Sequence, residues 1–103
     1  MVSFTYNEEN KVLTATFAGR MDTIAVQKVS EMINIHIPVK EGISGDKIIF
    51  DLREVDYISS SFIRICVSTA KQAGPGQFSI AHCQPFVKKT FKISGLDDIL
   101  NVT

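Results

Sequence analysis

The chain has 103 residues, 45% of them hydrophobic and 21% charged, with 11 Lys and Arg against 11 Asp and Glu. That length and mixture suit one globular domain, residues 1–103, able to bury a core without disulfide or metal staples. A formal net charge of zero gives no electrostatic footprint for nucleic acid or an acidic membrane surface, no apolar run is long enough to span a bilayer, and no N-terminal signal pattern is seen, so a cytoplasmic location is expected.

In chain order, Phe4 and Tyr6 alternate with Ser3 and Thr5 before the turn-forming Asn7-Glu8-Glu9-Asn10. The β-branched and aromatic segment Val12 to Ala18 completes an expected hairpin. Gly19 reads as the break after it. Asp22 or Thr23 is expected to cap a helix whose apolar face is Ala25, Val29 and Met32/Ile33. Pro38 should end that helix at or before Ile37, and Val39 to Asp46, with its two glycines, reads as an exposed loop.

Lys47 to Leu52 is apolar in its middle, as expected for a strand in the centre of a sheet covered on at least one face. After it, Val55 to Arg64 carries three consecutive serines, Ser59, Ser60 and Ser61, at the start of a second helix. The expected inner face of that helix is Ile63, Cys66/Val67, Ala70 and Ala73, and Gly74-Pro75-Gly76 stops it. Phe78 to Ala81 is a further strand. Gln84-Pro85 opens a third helix with Val87 and Thr90/Phe91 inward, and Gly95 is a left-handed stop with Leu96 closing back on Phe91. Ile99 to Val102 is expected to add a short helix or an edge strand. The order ββαβαβα implies an α/β domain with a largely parallel inner sheet and an antiparallel N-terminal hairpin.

Reactive constellations are sparse. His36 and His82 are isolated, no Cys/His spacing suits a metal, and no glycine-rich loop suits a phosphate. Cys66 and Cys83 lie in apolar segments and read as buried free thiols. Asp51 and Asp56, expected to flank the central strand and its following loop, lack a third ligand or a base. Lys88, Lys89 and Lys92 read as a solvated helix face. No catalytic residue, metal or cofactor is expected, and the chain does not read as an enzyme.

The serine junction differs in kind. One serine suffices to cap a helix. A second, exposed one could accept a phosphate, which adds about two negative charges and three acceptor oxygens. A helix N-terminus tolerates that charge, so the fold would survive while the surface changed.

With these features the chain resembles the STAS-domain family of bacterial anti-sigma-factor antagonists. Gly19-Arg20-Met21-Asp22 matches the family's Gly-x-x-Asp step. Ser59-Ser60-Ser61-Phe62-Ile63 aligns without a gap to its Asp-Ser-Ser-Gly-Leu helix start, and Ser94-Gly95-Leu96-Asp97 to its Ser/Thr-Gly-Leu-Asp ending. The resemblance implies a mixed sheet of four or five strands with helices mainly on one face. It also implies partner switching. The unmodified protein would bind an anti-sigma factor, itself a serine kinase in many cases, phosphorylation of Ser60 would release it, and a phosphatase would reverse the step. Asp22, Ser59, Ser61, Phe62 and Ile63 would border Ser60 on the partner-facing surface. Ser59 replaces the family's Asp, and Phe62 its Gly, which sets a large ring where a partner would approach. These departures support an alternative, a STAS scaffold or subunit of a signalling or transport complex without the switch.

Overall fold

The computed structural model describes residues 1–36 and 47–103. Val2–Asn7 (β1) and Val12–Met21 (β2) form the antiparallel hairpin. Its turn is held by the Asn7 side chain, whose Oδ1 accepts the backbone N–H of Glu9 at 3.0 Å and of Asn10 at 3.4 Å. Thr23–His36 (α1) leads to Lys47–Ile58 (β3), Ser60–Ala73 (α2) to Phe78–Ala81 (β4), and Pro85–Ile93 (α3) follows. The sheet has four strands in the order β1-β2-β3-β4, with β3 parallel to both neighbours.

Side chains alternate across a strand, so burial along each strand tells how the sheet is covered. Ile48, Phe50 and Leu52 of β3 are buried while Lys47 and Arg53 are exposed, and in β4 only Phe78 and Ile80 are buried. One face is therefore covered, as expected. Against it α1 sets Val26, Val29 and Ile33, α2 sets Phe62, Cys66 and Thr69, and α3 sets Val87 and Phe91. Four phenylalanines meet at the centre. Phe17 packs edge-on to Phe50 at 4.8 Å and to Phe62 at 5.2 Å, and Phe78 edge-on to Phe50 at 4.9 Å. Such pairs add about 0.5–1.5 kcal/mol each beyond the area they bury.

The expected elements are present with corrected limits. Gly19 does not end β2. It takes φ 95 at an irregularity, where the register slips between Ala18 and Arg20, and pairing resumes to Met21. Likewise β3 runs six residues past Leu52 to Ile58, which places Asp56 inside a strand rather than in a loop. On α1 the inner face turns to Val26 and leaves Met32 exposed. On α2 it centres on Phe62, Cys66 and Thr69, with Ile63, Val67, Ala70 and Ala73 only partly buried beside it. α1 is described as far as His36; the stop expected at or before Ile37 ahead of Pro38, and the loop assigned to Val39–Asp46, lie outside the described residues.

The third helix stops as its sequence foretells. Gly95 has φ 78, its N–H donates to the Lys92 carbonyl at 3.1 Å, and the Leu96 N–H donates to the Phe91 carbonyl at 3.2 Å. These are the two bonds of a Schellman ending. The tail then returns to the sheet as a single parallel bridge between Val102 and Ile80, with Thr103 N–H on the Ile80 carbonyl at 2.9 Å and Leu100 fully buried. Because β4 ends at Ala81, opposite Asp51, the β3 edge beyond that point needs another cover. Gln84 supplies part of it, its Nε2 donating to the Arg53 carbonyl at 3.0 Å.

Candidate functional site

The parallel neighbours β2 and β3 end together, at the paired residues Met21 and Ile58. The next residue on each strand caps a helix. Asp22 Oδ1 accepts the Ala25 N–H at 2.9 Å, and Ser59 Oγ accepts the Phe62 N–H at 3.3 Å. A bond of 2.9 Å from Ser59 N–H to the Met21 carbonyl ties the two junctions. Two helix N-termini thus stand side by side at the carboxyl edge of a parallel sheet, where α/β folds commonly place their binding surfaces.

The three serines part company here. Ser59 is buried and spends its hydroxyl on the cap. Ser60, the first residue of α2, is exposed. Ser61 is half-buried in the same turn. Asp22 is 43% exposed and stands with Ser59 and Ser60 at this edge. Ile63 is half-buried and packs against the core.

Phe62 requires correction. Its side chain is 0% exposed and faces Phe17 at 5.2 Å, so its ring cannot meet a partner or obstruct one. The stripe Phe62, Cys66, Thr69 has the helical spacing of an inner face and was the signal that could have placed it.

A feature absent from the sequence reading completes the edge. Arg20 and Tyr57 face each other across β2 and β3, and the Arg20 guanidinium lies 3.9 Å above the centre of the Tyr57 ring. Its Nε stands 3.9 Å from Asp22 Oδ2. This grouping depends on the register that resumes after Gly19, which no local pattern announces.

The remaining candidates disperse. Asp51 Oδ1 accepts the Arg53 N–H at 3.0 Å, an ordinary local bond, and Asp56 lies roughly 16 Å further along the same strand. The two carboxylates do not share a site. Burial pushes the Cys66 thiol well up, with the neighbouring Cys83 adding to the effect. Burial also raises Cys83, to about 11; Lys88 pulls it down in part, and the negative charge of Asp51 adds to the rise. Both are thiols rather than thiolates at neutral pH. Among the described residues no three His, Cys, Asp or Glu are grouped to hold a metal, and no helix is long and apolar enough to cross a membrane.

Comparison with known proteins agrees with this fold. The family model for the STAS domain matches residues 3–103. An anti-sigma-factor antagonist (STAS) domain protein from Planctomyces limnophilus superposes with a TM-score of 0.81 at 18% identity, over 99% of this chain and 87% of that one. An anti-sigma factor antagonist from Mycobacterium paratuberculosis gives 0.75 at 16% identity, over 99% and 85%. The antagonist SpoIIAA in its unphosphorylated form gives 0.75 at 17% identity, over 100% and 88%. No curated protein matches the sequence. At such identities the structural likenesses speak for the fold.

Proposed function

The chain belongs to the STAS-domain family, and from that premise we propose that it is an anti-sigma-factor antagonist that works by partner switching in the cytoplasm of a bacterium. In this reading the unmodified protein docks an anti-sigma factor of the serine-kinase type on the edge formed by Asp22, Ser59, Ser60 and Ser61, with Ile63 at its margin. Phosphorylation of Ser60 then ends the contact, and a phosphatase restores it. One observation carries the proposal: Ser60 is exposed at the head of α2 while its neighbour Ser59 already satisfies the cap. Ser60 is thus spared a structural duty. A dianion there would sit at two helix N-termini that accommodate it, yet would confront a partner fitted to a hydroxyl.

The experiment is phosphorylation by the cognate kinase-type anti-sigma factor with ATP. Phosphate is expected on Ser60, with none on the Ser60→Ala variant, and the phosphorylated form should lose affinity for the anti-sigma factor. Equal modification of Ser60→Ala would sink the assignment. The scaffold alternative drew on Phe62 and Ser59. With Phe62 in the core, only the missing acid at Ser59 still favours it, and recovery of scaffold or transporter subunits without an anti-sigma factor would revive it.

A further inference from the structure

Beside the candidate edge, the start of the chain, the end of β2 and the outer flank of α1 enclose an open groove of about 550 Å³. Its lining includes Arg20, Asp22, Ile24, Lys28, Val29 and Met32. Ile24, Lys28 and Met32 are spaced four apart, so they form one ridge along α1. Ile24 is 74% exposed and Met32 38%, an apolar wall left in water.

The charges in the groove do not cancel. Arg20 and Lys28 face one carboxylate, Asp22, in a chain whose formal net charge is zero. Among the described residues Lys28 has no ion pair. Arg20 reaches Asp22 through Nε at 3.9 Å, too long for a hydrogen bond, so its terminal nitrogens keep their donors for another acceptor. The Tyr57 ring, 3.9 Å below its Cζ, gives the guanidinium a cation–π contact that restricts its freedom. That reduces the ordering cost of meeting a planar carboxylate.

We propose that this groove receives a segment of a protein partner in which an apolar side chain is flanked by carboxylates. The apolar group lies on Ile24 and Met32, and the carboxylates meet Arg20 and Lys28. This inference rests on the reading that the Asp22 edge is a docking surface, and it extends that surface along α1 and names the chemistry of what docks. Arg20 and Tyr57 become its specificity-determining pair, of the residue types that dominate interface energetics.

The test has two arms, both using the full chain. In the first, the isotope-labelled protein is titrated with an amphipathic peptide carrying Leu and Glu at helical spacing, and with the same peptide carrying Gln in place of Glu. Saturable amide shifts are expected at Ile24, Lys28 and Met32. Affinity should fall about tenfold with the Gln peptide, with Lys28→Glu and with Arg20→Gln, and recover only in part with Arg20→Lys. Lys89→Glu on α3 should leave it unchanged. Equal affinity for both peptides, shifts centred on α3, or no saturation overturns the proposal. In the second arm the anti-sigma factor itself is the probe. If it binds and Ser60→Asp releases it while Lys28→Glu binds as wild type, the groove inference fails and the switching reading stands. If no anti-sigma factor binds the wild type, the switching reading fails, and the peptide arm alone decides the groove.

Discussion

At the scale of single residues, neighbours in sequence have opposite duties. Phe62 contributes its whole ring to the aromatic centre, in contact with Phe17. Phe62→Ala should cost about 3–5 kcal/mol, read as a lowered urea midpoint, because the cavity adds to the lost transfer energy. Ser60 is exposed two residues away, and Ser60→Ala should move stability by no more than about 0.5 kcal/mol. The opposite ranking would mean that the first turn of α2 is oriented otherwise. The two thiols make a second residue-scale prediction. Burial lifts Cys83 from the ordinary thiol range to about 11 in the fold, and Cys66 moves in the same direction. Above about pH 9 the unfolded state therefore binds fewer protons than the native one, and stability falls as pH rises toward about 11. Urea midpoints across that window should decline, and Cys83→Ser should flatten part of the slope. An identical slope in the variant would assign the decline to other groups.

At the scale of elements, the caps set where each helix begins. Ser59→Ala should lose about 1 kcal/mol, while Ser59→Asp keeps an oxygen for the Phe62 N–H and adds a charge suited to the helix start. Thermal unfolding of both variants separates the roles, since a loss of equal size for Asp would show that burial at this position outweighs capping. Caps of this kind were legible in the sequence, because a hydroxyl or carboxylate reaches only the N–H groups two or three residues on. The same holds for the Gly95 ending, whose bonds span Phe91 to Leu96. The apolar faces were less legible. With Ile63, Cys66 and Val67 all apolar, the periodicity alone leaves the inner face of α2 free to rotate by one residue, between a stripe that starts at Ile63 and one that starts at Phe62.

At the scale of the molecule, the fold should be indifferent to the switch. Ser60→Asp should leave the unfolding midpoint close to wild type and still abolish binding of the anti-sigma factor, since the helix N-termini and solvent offset the repulsion from the Asp22 carboxylate at the same edge. A large stability change with retained binding would separate Ser60 from the docking surface. This division of labour follows from the parallel pairing of β2 and β3, which delivers Asp22 and Ser59 to the same edge. By itself the sequence determined the element order, the starts of the helices, the stops of α2 and α3, and the family, since these depend on contacts a few residues apart or on motif spacing. Only the tertiary structure decided that β2 continues past Gly19, that β3 carries Asp56 within it, that Arg20 lies on Tyr57 beside Asp22, and that Phe62 points inward. The strand features depend on register, a non-local choice in which one residue of slip reverses every side chain, and Phe62 on how α2 rotates against the sheet it packs on.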